Sequence, residues 1–189
     1  RALDEHELAE QLRDVSILGV RSKTQVTGRA LAAAHRLLAI GAFCIGTDQT
    51  DIRAATQRGV ALFNAPYSNT RSVVELALGE IIMLLRRIFP ANAALHRGEG
   101  QKSAAGSYEV RGKVLGIVGY GKIGSQLSVL AEDLGMKVMF FDIEDRLTLG
   151  NAHRCRSLKE LLQNADVVSL HIDGRESNRE IFGPKEFRL

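Results

Sequence analysis

Gly119-Tyr120-Gly121-Lys122-Ile123-Gly124 is the segment whose residue types and spacing carry the most specific chemistry. It follows the apolar run Lys113–Val118, opens an amphipathic stretch, and is succeeded by a second apolar run, Lys137–Phe141, that ends at Asp142, eighteen residues past Gly124. That is the order of a dinucleotide-binding strand, turn, helix and strand. Gly119 permits a tight turn, and the missing side chain at Gly121 lets backbone amides approach a pyrophosphate at the helix N-terminus, where unpaired N–H groups and the dipole favour anions. Gly124 lets helix and strand pack closely. Lys122 and Ile123 join the glycines as cofactor contacts, with the Lys122 ammonium near the pyrophosphate or in water. Asp142 accepts both hydroxyls of an adenosine ribose, and its charge repels a 2′-phosphate, so NAD is expected rather than NADP.

Competing chemistries read less well. Gly116–Lys122 has the G-x-x-x-x-G-K spacing of a phosphate-binding loop, but the next position must be Ser or Thr to hold magnesium and is Ile123. His35, His96, His153 and His171 lack metal-ligand spacing, so no metal site is expected. Cys44 and Cys155 form neither a CxxC pair nor a disulfide framework, which makes a reducing cytoplasm the default. The acidic residues show no close pair suited to glycosidase chemistry. Arg21-Ser22-Lys23 follows the apolar run Val15–Val20, at the carboxyl edge where open α/β sheets bind ligands; an ordinary solvated basic turn is the alternative there.

The elements that must position these residues alternate between short β-branched runs and helical stretches. Strands are expected at Val15–Val20, Leu37–Ile40 and Val60–Phe63, with helices near 28–35 and 51–58, the second capped by Asp51 and stopped by Gly59. Ser72-Val73-Val74-Glu75 fits a capping box and predicts one long helix to about Phe89. Its apolar positions cover nearly the whole circumference, so burial on most sides is expected, between domains or subunits. A polar stretch, residues 96–112, precedes the second series: strand 113–118, helix 123–134 ending at Gly135, strand 137–141, helix 157–164 started by a second capping box at Ser157 and Glu160, and strand 166–172.

Composition sets the outer bounds. The 189 residues are 45% hydrophobic and 25% charged, which excludes disorder and repeat classes. A net charge of +3, scattered along the chain, with no Trp, gives no nucleic-acid footprint. The longest apolar run, Leu76–Leu85, contains Glu80 and is too short to span a membrane. The chain starts at Arg1 and stops after a helix-like beginning, which reads as part of a longer polypeptide.

With Phe63-Asn64-Ala65-Pro66-Tyr67-Ser68-Asn69-Thr70-Arg71-Ser72-Val73, Arg21-Ser22-Lys23-Thr24 and the Gly119 motif together, the chain resembles the D-isomer-specific 2-hydroxyacid dehydrogenases over about residues 1–189. The resemblance implies two parallel-sheet α/β domains: a flavodoxin-like substrate domain, incomplete here, over 1–68, and an NAD-binding Rossmann domain lacking its last strands over 69–189. Within the family it is to members that oxidise 3-phosphoglycerate to 3-phosphohydroxypyruvate in serine biosynthesis. It further implies substrate contacts from Arg21, Ser22, Lys23 and Asn69, and from Lys102 across a subunit boundary; the apolar Val73–Phe89 stretch points to a homo-oligomer, and no nucleic-acid or membrane partner is expected. The family's catalytic Arg, Glu and His are expected beyond Leu189, so no catalytic residue is assigned in this chain. Two departures stand out: no aromatic residue occurs within Arg97–Lys102, and Asp173-Gly174 follows the last strand where the family usually has proline. Alternatives are another D-2-hydroxyacid as substrate, or a non-catalytic dinucleotide-sensing protein of corepressor type.

Overall fold

In the computed structural model, which describes residues 3–100 and 103–189, the chain divides into two units. The first comprises residues 1–69 with 173–175, and the second residues 70–172 with 176–189.

In the first unit Asp4, Thr27 and Asp51 each accept, on a side-chain oxygen, the amide three residues ahead, satisfying a donor that a helix start leaves unpaired. They begin helices α1 (Glu5–Gln11), α2 (Gly28–Ala33) and α3 (Ile52–Gln57). Gly59, at φ +70°, ends α3 as the sequence suggests. Strands β1 (Ile17–Val20), β2 (Ala39–Ala42) and β3 (Ala61–Asn64) alternate with these helices and pair in parallel in the order β1-β2-β3. Register places Leu18, Ile40 and Leu62 side by side, and this row meets Leu8, Ala30, Leu31 and Ala55 from the helices. Fully burying side chains such as Leu31 and Ile40 stabilises by roughly 1.5–3 kcal/mol each. The opposite pleat leaves Ile17 and Phe63 exposed.

The second unit starts with α4 (Thr70–Leu85) and α5 (Ile88–His96), followed by β4 (Val114–Val118), α6 (Lys122–Asp133), β5 (Lys137–Phe141), β6 (His153–Arg154), α7 (Leu158–Asn164) and β7 (Val167–Leu170). The parallel sheet has the order β6-β5-β4-β7. Both faces are covered: Leu115 and Ile117 of β4 pack with α4 and α6, whereas Val118 packs with Leu161 of α7. A Cβ at Gly116 would lie 2.9 Å from Ala165 Cβ, so the glycine sets how closely α7 approaches. Strand order reverses between β4 and β7, the switch point at which open α/β sheets bind ligands.

Three expectations are corrected. Ser72 does not cap: α4 begins at Thr70, and Glu75 is held by Arg71 Nε at 2.7 Å, an i,i+4 pair that takes the carboxylate the box required. The single helix to Phe89 is two, because Arg87 turns left-handed at φ +55°. The turn is supported from residues 103–112, where Tyr108 N–H donates to Leu85 O (2.9 Å) and Ser107 Oγ to Arg86 O (3.1 Å). Pro90 then falls in the first turn of α5, where its missing N–H costs nothing. Within this chain α4 buries Thr70, Val74 and Ile81 and leaves Leu76 and Leu84 exposed, α6 covering one stripe of it. At α7, Ser157 caps as expected, but Glu160 accepts from Arg156 N rather than completing the box.

Candidate functional site

The chain leaves β4 through Gly119, whose N–H donates to Phe141 O at the end of β5 (2.9 Å). Gly119 stands at φ +91°, and a Cβ there would come 2.5 Å from His171 O, so both backbone conformation and the approach of the segment after β7 require glycine. A Cβ at Gly124 would run into Gly119 O, while one at Gly121 would meet nothing within 4 Å. The first and third glycines therefore shape the turn. The middle one, which is the N-cap of α6 and carries no side-chain cap hydrogen bond, leaves the helix start open. Lys122, exposed, and Ile123, half-buried, form the first helical turn.

Tyr120, between the glycines, is a residue that sequence reasoning missed. It is 2% exposed, its ring stacks on Phe140 with centroids 3.8 Å apart, and its hydroxyl bonds Ser128 Oγ at 2.9 Å inside α6. Tyr120 N–H donates to Asp142 Oδ2 at 2.7 Å, and Asp142 Oδ1 accepts from Glu144 N at 2.8 Å. The carboxylate that ends β5 is thus fixed beside the turn from which α6 starts. Beyond it a cavity of about 310 Å³ is lined by Phe141, Asp142, Arg154, Cys155 and Arg156. A glycine turn, an open helix N-terminus, an adjacent carboxylate and a cavity past it suit a phosphate–ribose–base ligand.

Burial pushes the Cys155 thiol up to about 11, with Glu160 adding to the shift, so it stays protonated near neutrality. His171 is pushed below its ordinary range by burial, and its Nε2 lies 2.9 Å from Ser169 Oγ. Among the described residues no His, Cys, Asp and Glu cluster suits a metal ion.

In the first unit, Arg21, Ser22 and Lys23 lie exposed in the turn after β1, closed by Thr24 N–H to Arg21 O at 3.3 Å. They share the carboxyl edge of the sheet with the end of β3, where Asn64 Nδ2 donates to Ile45 O at 2.7 Å. Asn69, exposed, is the last residue of this unit before α4. Lys102 lies outside the described residues.

Residues 1–165 match the family described as D-isomer specific 2-hydroxyacid dehydrogenase, catalytic domain. The chain belongs to that family. The D-3-phosphoglycerate dehydrogenase of Haemophilus influenzae is 57% identical over 181 residues, covering 96% of this chain and 44% of that protein. The Escherichia coli K12 protein of the same name is 54% identical over 188 residues, covering 100% and 46%. The chain spans less than half the length of these two relatives. Among solved structures, the D-lactate dehydrogenase of Aquifex aeolicus, complexed with NAD and lactic acid, superposes with a TM-score of 0.87 at 25% identity over 96% of this chain and 55% of that one. The two parallel-sheet units are therefore those of a 2-hydroxyacid dehydrogenase, as the sequence motifs suggest.

Proposed function

We propose that this dehydrogenase-family chain supplies the NAD site and part of the substrate site of an enzyme that oxidises 3-phospho-D-glycerate to 3-phosphohydroxypyruvate, in the manner of its D-3-phosphoglycerate dehydrogenase relatives. The observation that carries the reading is 54–57% identity to proteins of that name across nearly the whole chain. The first unit is read as the substrate domain and the second as the NAD-binding domain. No α-helix among the described residues is long and apolar enough to cross a membrane, and a cytoplasmic location fits such chemistry.

The residues fit the cofactor. Gly121 leaves room beside the open α6 N-terminus for a pyrophosphate, framed by Gly119, Lys122, Ile123 and Gly124, and the Asp142 oxygens stand next to that turn for ribose hydroxyls. When bound, NAD accepts hydride from the substrate carbinol carbon. This chain's part is to hold and orient. Arg21 and Lys23, with Ser22 between them and Asn69 at the end of the unit, give an anionic substrate charge-assisted donors; Lys102 is a further cation for the same phosphate. No acid–base residue is assigned within this chain. Exposed Leu76 and Leu84 on α4, with Phe89 and Leu95 on α5, support a homo-oligomer.

The test follows NADH formation by the intact protein with 3-phosphoglycerate and with D-glycerate. Arg21→Ala is expected to raise KM for 3-phosphoglycerate at least tenfold, about 1.4 kcal/mol or more, and to change KM for D-glycerate little. Equal effects on both would remove the phosphate role.

A further inference from the structure

The Asp142 carboxylate, read above as the ribose acceptor, is not a lone negative charge. Arg146, one helical-turn spacing along the chain, places Nε 3.5 Å from Asp142 Oδ2 and a terminal nitrogen 2.6 Å from the Glu144 carboxylate. Asp142 is nearly buried, its side chain 8% exposed, while Arg146 is 39% exposed and reaches it from the solvent side. The charge expected to repel a 2′-phosphate is thus partly cancelled by a guanidinium in ion-pair contact with it. A guanidinium presents several donors in a planar fork, the geometry that phosphate oxygens take up.

The other cations at this corner are placed differently. Arg154 is committed, with one terminal nitrogen on the Asp145 carboxylate and the other donating to Glu144 O at 2.9 Å. Arg156 lines the cavity beyond Asp142, but the Asp142 and Glu144 carboxylates take their ion pairs from Arg146. Arg146 is held by the nearly buried Asp142 carboxylate and the exposed Glu144 carboxylate and is itself 39% exposed, so its guanidinium can turn toward an anion arriving from the solvent side.

Resting on the NAD reading of this site, we propose that Arg146 is a specificity-determining residue: it pairs with Asp142 and Glu144 beside the bare ribose of NAD and swings onto the 2′-phosphate of NADP. Asp142 then sets the sign of the coenzyme preference and Arg146 sets its steepness. Discrimination against NADP is shallower in this chain than an unpaired carboxylate would give.

The experiment titrates the intact protein with NADH and with NADPH by coenzyme fluorescence, for the wild type and five variants. Arg146→Gln is expected to widen the NADH-over-NADPH affinity ratio by about five- to tenfold, through weaker NADPH binding. Asp142→Asn, which keeps an oxygen for the Tyr120 amide, shifts the ratio toward NADPH, and adding Arg146→Gln cancels that shift. Arg156→Gln changes both affinities together or neither. Arg146→Lys, which keeps charge without the fork, falls between wild type and glutamine and carries the test if the glutamine variant does not fold. Normal NADH binding with a ratio unmoved by either Arg146 variant, or moved equally by Arg156→Gln, overturns the inference and leaves the NAD reading intact. Absence of binding of either coenzyme to the wild type sinks both.

Discussion

Replacing Tyr120 by Phe tests whether the coenzyme turn is anchored from inside the protein. The ring is 2% exposed and stacked on Phe140, so the substitution keeps the packing and removes one oxygen. That oxygen is the partner of Ser128 Oγ at 2.9 Å, and Ser128 is 0% exposed. Stranding a buried hydroxyl costs about 1–3 kcal/mol, against a net value near 1 kcal/mol for an ordinary hydrogen bond, so Tyr120→Phe should lose about 1–2 kcal/mol. Ser128→Ala strands the Tyr120 hydroxyl instead and should lose a similar amount. The double variant buries no orphaned polar atom, so its loss should be smaller than the sum by about 1 kcal/mol or more. Urea unfolding of the intact protein, followed by circular dichroism with the transition assigned to this unit, measures all three. Losses that add within about 0.3 kcal/mol would show that the two hydroxyls are independent, and the anchoring argument would fall.

Other outcomes follow from the same geometry. Gly119→Ala meets both the φ of +91° and a Cβ 2.5 Å from His171 O, so it should destabilise by about 2 kcal/mol or more and weaken NADH binding, read by denaturation and fluorescence titration. Asp166 is held below the usual carboxylate range chiefly by the Val114 N–H at 2.8 Å, with Lys113 adding to the effect against burial, which opposes it. A depressed carboxylate contributes stability that is present above its unfolded pKa, near 4, and is lost as pH falls through the folded value. Asp166→Asn should therefore cost less than about 1 kcal/mol at pH 7, the site being 39% exposed, and the difference should vanish at the acid end of a pH series of urea melts. With its thiol near 11, Cys155 should resist iodoacetamide at pH 7.5 while half-buried Cys44 reacts; rapid double labelling would contradict its burial.

The fold's repeating units and the turn were legible because their signals are local. Glycines at fixed offsets, an aspartate at the end of the next strand and caps such as Asp51 and Ser157 depend on a few neighbouring residues. The misread elements are those decided at longer range. Ser72 and Glu75 satisfy a capping pattern, but Arg71 competes for the carboxylate, and the break at Arg87 depends on residues twenty positions downstream that satisfy the carbonyls of Leu85 and Arg86. The two-residue strand β6 is too short to show a period. Tyr120 and Arg146 gave no signal of their own: one fills a variable position of the fingerprint, and the other matters only because the turn after β5 brings it back to Asp142.

In the proposed coenzyme site Asp142 serves two masters at once. The oxygen that accepts the Tyr120 amide also ties the end of one strand to the exit of its neighbour, so a lineage altering its appetite for coenzymes by discarding this acid would loosen its own scaffold in the same step. Evolution toward the phosphorylated coenzyme therefore runs most easily through substitutions that remove the charge at this position but keep a hydrogen-bond acceptor there.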